Sequence, residues 1–136
     1  MRLIKPRVMV VEDDAVIRRL VRAALEVEGH EVIEVVNAAG LRQAFRVTIP
    51  DLVVLDLQLP DGDGLDLLPE LKKNWPHAKV IILTGQSTVE AAEKASLVGE
   101  VYLQCKPFNA GILQALVDLA LHHSAAAPSK DEIAGG

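Results

Sequence analysis

Short apolar segments recur along this chain, each closed by a polar residue or a turn former. They are Arg7-Val8-Met9-Val10-Val11-Glu12, His30 to Val36 (apolar at Val32, Val35 and Val36), Leu52-Val53-Val54-Leu55-Asp56, Lys79-Val80-Ile81-Ile82-Leu83-Thr84, and Val101 to Cys105. Leu52 to Leu55 is the clearest: no polar residue alternates within it, so it reads as a strand buried on both faces, as in a parallel sheet. Pro60 and Gly62 then stop it.

Between these runs the period changes to that of a helix. Val16, Ile17, Leu20, Val21, Ala24 and Leu25 form an inward stripe, with Arg18, Arg19, Arg22 and Glu26 on the other face and Gly29 as the stop. Asp13 or Asp14 can accept hydrogen bonds from that helix's first N–H groups. Asn37 opens a second helix, Ala38 to Val47, weakened by Gly40 in its first turn. A third, Leu65 to Asn74, contains Pro69, which should bend it or delay its regular start. Ser87-Thr88-Val89-Glu90 is a capping box for a fourth helix running to about Leu97 and ended by Gly99. Asn109 caps a last helix whose Ile112, Leu113, Leu116, Val117 and Ala120 face inward, with His122 and His123 in its final turn. Five strands alternating with five helices imply one α/β domain over 1–123, a parallel sheet covered on both faces by right-handed crossovers. Residues 124–136, Ala/Pro/Ser-rich and ending in Gly-Gly, read as a flexible tail or the start of a linker.

Composition narrows the class. With 136 residues, half of them apolar, the chain is long enough for a real core. Phe45, Trp75, Tyr102 and Phe108 are the only aromatics, so that core must be aliphatic. A formal charge of −5 argues against a nucleic-acid surface or docking on an anionic membrane. No apolar run approaches the roughly 18 residues of a membrane span. Cys105 is the single cysteine, expected as a small core residue, and a chain without an internal disulfide reads as cytoplasmic.

In a parallel sheet all strand carboxyl ends lie along one edge, where open α/β sheets bind ligands. Four of the five strands here end on chemically capable residues: Glu12-Asp13, Asp56, Thr84 and Lys106. Unit charges about 4 Å apart interact by about 4 kcal/mol at an effective dielectric of about 20. Three acids brought together beside one lysine would therefore repel one another strongly.

These pieces, in order, are Val10-Val11-Glu12-Asp13-Asp14, Leu55-Asp56-Leu57-Gln58-Leu59-Pro60-Asp61-Gly62-Asp63-Gly64, Leu83-Thr84-Gly85 and Lys106-Pro107-Phe108. Together they resemble the receiver domain of two-component response regulators, the CheY-like superfamily, over about Arg7 to His123. The resemblance implies a flavodoxin-like (βα)5 three-layer sandwich with strand order 2-1-3-4-5. It further implies Asp56 as phosphoacceptor, and Mg2+ held by Glu12, Asp13, Asp56 and the backbone carbonyl of Gln58. Lys106 would pair with the phosphoryl group and the Thr84 hydroxyl would hydrogen-bond to it. A histidine kinase or histidine phosphotransfer protein would be the donor, with an unknown target or output domain downstream and a homodimer on activation left open. Phosphorylation would reshape a face made of Val89 to Leu97, Tyr102 to Gln104 and the helix from Asn109.

The family commonly carries an aromatic three residues before the lysine; here that position is Leu103, beside Tyr102. Either an altered strand shifts Tyr102 into that role, or the domain lacks an aromatic switch. Three other readings compete. A haloacid-dehalogenase-like phosphohydrolase would want a second acid where Gln58 stands. A flavodoxin-like nucleotide or flavin binder would want a Gly-rich loop where three acids follow the first strand. A receiver-like docking module would not need the full set of five residues. The chain is thus expected to be a self-phosphorylating acceptor with slow autodephosphorylation, not a turnover enzyme.

Overall fold

A computed structural model describes residues 5–85, 93, 101–107 and 109–122. The elements are β1 (Arg7–Val11), α1 (Ala15–Val27), β2 (Glu31–Val35), α2 (Ala38–Ala44), β3 (Leu52–Asp56), α3 (Gly64–Asn74), β4 (Lys79–Thr84), β5 (Tyr102–Cys105) and α4 (Ala110–His122). A two-residue antiparallel ribbon, Gln58–Leu59 with Gly62–Asp63, follows β3. The helix expected between β4 and β5, apart from Glu93, lies outside the described residues, as do Phe108, His123 and the tail from Ser124. The label α4 therefore denotes the C-terminal helix.

The strands form one parallel sheet of order β2-β1-β3-β4-β5, the flavodoxin-like arrangement. β3 lies at its centre, which is why all five of its residues are buried and none is polar before Asp56. Alternation along the strands divides the core in two. Met9, Val11, Val53, Leu55, Val80 and Ile82 pack with Leu41 of α2 and with Leu67, Leu68 and Leu71 of α3. Val8, Val10, Leu52, Val54, Ile81 and Leu83 pack on the opposite face with Val21 and Leu25 of α1 and Leu113, Val117 and Ala120 of α4. Each such Val, Leu, Ile or Met side chain contributes about 1.5–3 kcal/mol when fully buried, and this aliphatic mass fixes the strand ends on which the polar residues stand. Trp75 is the aromatic exception: it is buried edge-on to Phe45, and its indole N–H donates to the Thr48 carbonyl.

Several expectations change. In α1 the buried stripe is Val21, Ala24 and Leu25, with Ile17 half-buried; Val16 and Leu20 are 64% and 50% exposed. They stand one residue, about 100° of helix rotation, behind Ile17 and Val21, outside the arc that meets the sheet. Ile112 likewise trails Leu113 and is 53% exposed. Cys105 is exposed and not a core residue, because it ends an edge strand beyond the packed positions of β5. α2 stops at Ala44 rather than Val47, β2 spans Glu31–Val35 and leaves Val36 exposed, and β5 starts at Tyr102. Pro69 does not delay α3, which begins at Gly64 under an Asp63 cap.

The register of β5 resolves the Tyr102 question. Ile81, Ile82, Leu83 and Thr84 pair in unbroken sequence with Tyr102, Leu103, Gln104 and Cys105. Leu103 packs with the α2/α3 cluster and Tyr102 with the α1/α4 cluster, so the two lie on opposite faces. No bulge moves Tyr102 to the position of Leu103.

Candidate functional site

β1, β3 and β4 carry their terminal residues to a common edge. Val11 pairs with Leu55, and Asp56 pairs with Leu83. Glu12 consequently stands level with Asp56 on one side, and Thr84 one step beyond it on the other. Lys106 follows β5 directly; its backbone N–H donates to the Thr84 carbonyl at 2.7 Å, and the Lys106–Pro107 peptide is cis. Its ammonium reaches inward to 3.2 Å from Glu12 Oε1 and 3.5 Å from Asp56 Oδ1. Glu12, Asp56 and Thr84 are buried, whereas Asp13 is exposed.

The acidic residues divide their work. Asp14 is the helix cap: its Oδ1 accepts from Val16 N and Ile17 N at 2.8 and 3.2 Å. That leaves the Asp13 carboxylate for the cluster, and oxygens of Glu12, Asp13 and Asp56 lie within 4.8 Å of one another. Glu12 Oε2 accepts from Asp14 N at 3.1 Å. Glu12 Oε1 is buried without a hydrogen-bond donor, since Lys106 meets it as an ion pair and not along a hydrogen-bonding direction. Burial first, then the nearby Asp56 charge, push the Glu12 carboxyl up to about 7, against opposing help from the Asp14 N–H and Lys106. Such a carboxylate wants either a proton or a cation. Three carboxylates with one undonated buried oxygen, and no sulfur or imidazole among them, suit a hard ion such as Mg2+. The residues fit the metal that the resemblance implies.

The loop after β3 holds Asp56 in place through contacts that sequence reasoning missed. Gln58 N donates to Asp56 Oδ1 at 3.1 Å, orienting the carboxylate. Gly64 N donates to the Leu57 carbonyl at 2.8 Å. A Cβ on Gly64 would stand 2.7 Å from the Asp56 carbonyl oxygen and 2.8 Å from Leu57 Cα, so only glycine permits this approach. Asp61 reaches across to α2, accepting from Ala38 N at 2.7 Å and Ala39 N at 3.0 Å. These two N–H bonds hold its carboxyl below the ordinary carboxylate range. The Pro/Gly turn signalled a loop; nothing local in the sequence marked Asp61 as a second cap for a distant helix beside Asn37, whose Oδ1 accepts from Gly40 N.

Among known proteins, the response regulator receiver domain family matches residues 8–118 of this chain. The KDP operon transcriptional regulatory protein KdpE of Escherichia coli K12 is 38% identical over 130 residues, covering 93% of this chain and 56% of KdpE. The DNA-binding transcriptional regulator NtrC of Azospirillum brasilense is 36% identical over 115 residues, covering 85% of this chain and 24% of NtrC. A solved CheY-like receiver domain protein from Methanospirillum hungatei JF-1 superposes with a TM-score of 0.82 at 28% identity, covering 87% of this chain and 94% of that one. The chain spans about half of the first curated regulator and about a quarter of the second.

Proposed function

Because the chain belongs to the response regulator receiver domain family of two-component systems, we propose that it accepts a phosphoryl group on Asp56 from a histidine kinase or histidine phosphotransfer protein. The observation that carries this reading is the convergence of Glu12, Asp13, Asp56 and Lys106 at one sheet edge, with Lys106 Nζ 3.5 Å from Asp56 Oδ1.

In this reading an Asp56 carboxylate oxygen attacks phosphorus and forms an acyl phosphate. The bond from phosphorus to the donor's imidazole nitrogen breaks, and its electron pair stays with that nitrogen. Charge is spread over the phosphoryl oxygens in the transition state, so positioning and neutralisation do most of the catalysis. Lys106, already between Glu12 and Asp56, turns its ammonium to the arriving oxygens. The Thr84 hydroxyl, tied to Lys106 through the backbone, donates to another. Glu12, Asp13, Asp56 and the Gln58 carbonyl would hold Mg2+, which lessens repulsion between the anionic nucleophile and the anionic donor. The domain stores one phosphoryl group per chain and does not turn over substrate.

The acyl phosphate then favours a conformer in which Thr84, at the end of β4, draws toward it. With Leu103 on the Thr84 face and Tyr102 on the other, the signal travels without Tyr102 swinging in beside Thr84. KdpE and NtrC carry transcriptional regulator names and are longer than this chain; an output domain of that kind, or a separate target, is the recipient.

Intact mass after incubation with acetyl phosphate tests the proposal. One phosphoryl adduct is expected, requiring both Mg2+ and Asp56, and absent in Asp56→Asn. A folded wild-type chain that gains no adduct, and shows no amide shifts with beryllofluoride, would sink it.

A further inference from the structure

The acidic pair at the end of β1 is gripped from behind. Arg18, on the first turns of α1, was expected on the helix's solvent face, yet its side chain is only 17% exposed. Its Nη1 donates to the backbone carbonyl of Glu12 at 2.8 Å and to that of Asp13 at 3.2 Å. Its Nε donates to Glu34 Oε1 of β2 at 2.8 Å. Glu34 is itself held by Arg22 through its other oxygen, and the two arginines keep its carboxyl below the ordinary range. The chain of contacts therefore runs Arg22, Glu34, Arg18, then the main chain of Glu12 and Asp13. A guanidinium suits this because its planar fork offers several donors in fixed directions; an ammonium is a single point that cannot span both carbonyls and Glu34.

We infer that Arg18, anchored by Glu34, is a positioning residue that presets the Glu12–Asp13 segment for the cation. This rests on the reading of the site given above. Glu12 N is already fixed to the Val35 carbonyl and Asp14 to the start of α1. The carbonyls of Glu12 and Asp13 are the links between those two fixed points, and Arg18 ties them to β2. Without that tie the two carboxylates must be brought into register by the cation itself, which weakens its binding. The chemistry at Asp56 does not pass through Arg18, so the defect lies in cation affinity and disappears when the cation is in excess.

The test is Mg2+ titration of the full chain by calorimetry and by amide NMR, together with acetyl phosphate uptake against Mg2+ concentration. Arg18→Met is expected to raise the Mg2+ Kd at least about fivefold, while phosphorylation at saturating Mg2+ stays within about twofold of wild type. Arg18→Lys should not rescue affinity. Glu34→Gln, which leaves Arg18 in place but loosens its anchor, should fall between and serves if Arg18→Met does not fold. Arg7→Met removes the ion pair with Glu31 away from the site and should leave the Kd unchanged. Wild-type affinity in both folded Arg18→Met and Glu34→Gln, or full rescue by Arg18→Lys, would overturn the inference and leave the receiver reading intact. A wild-type chain that binds no Mg2+ and takes no phosphoryl group would instead overturn the site reading beneath it.

Discussion

Gly64 lies so close to Asp56 that a methyl group on its Cα would come within 2.7 Å of the Asp56 carbonyl oxygen. The clash is with backbone, which cannot swing aside as a side chain can. Gly64→Ala must displace the main chain that presents the carboxylate. We expect a loss of about 1–3 kcal/mol, typical of overpacking, together with slower phosphoryl uptake. Denaturant unfolding and intact mass check the two separately. Unchanged stability would mean that the loop moves away at no cost.

Asp61 supports the same loop by bonding Ala38 N and Ala39 N. Asp61→Asn should lower Tm by a few degrees at neutral pH. The folded chain holds this carboxyl below its ordinary value, so its contribution is complete above the unfolded pKa and is lost as pH falls through the folded one. The gap between wild type and variant should therefore close in acid. A gap constant across that range would show that charge has no part in it.

Glu12 has the opposite sign. Its carboxyl rests at about 7 in the fold against an ordinary value of 4.5. Between those values the folded chain holds the extra proton, so metal-free stability should fall as pH rises from 4.5 to about 7. If the site takes Mg2+ as proposed, the ion would bind the ionised form and should raise Tm more above pH 7 than near pH 4.5. Asp13→Ala should shrink that gain. Thermal melts with and without Mg2+ across the range decide it; a melting temperature indifferent to excess Mg2+ would count against the cation site.

Tyr102 packs with Ile81 and Leu83 on the α1/α4 face, away from Leu103. Tyr102→Phe should consequently leave unchanged the amide shifts that beryllofluoride induces around Thr84. Attenuation of those shifts would show that Tyr102 relays the signal after all.

How much of this was legible beforehand differs from residue to residue. The strands were visible because a strand buried on both faces leaves an uninterrupted apolar run, and β4 was bounded as Lys79–Thr84 from that alone. Asp56 and Thr84 stood out because a polar residue closing such a run has no packing reason to be there, and Lys106 because it precedes Pro107 at a strand's end. Asn37 and Asn109 were readable as caps because capping is decided within three residues of chain.

Which stripe positions meet the sheet was not readable. Val16 and Ile112 are as apolar as their buried neighbours, and only the rotation at which each helix docks turns them outward. Cys105 is small and apolar enough for a core, but its place at the end of an edge strand exposes it. The face of Tyr102 needed the register of β5 against β4.

By itself, then, the sequence determined the alternation of buried strands with amphipathic helices and which polar residues close those strands, since both follow from local pattern, and parallel strands share one edge; the roles of those residues came with the family resemblance. Tertiary structure alone decided that Lys106 bridges Glu12 and Asp56, that Asp61 holds α2, that Gly64 admits no side chain and that Arg18 grips the Glu12–Asp13 backbone. Those contacts join segments far apart along the chain, and their distances come from how the helices and strands pack as a whole. No local run of residues encodes that sum.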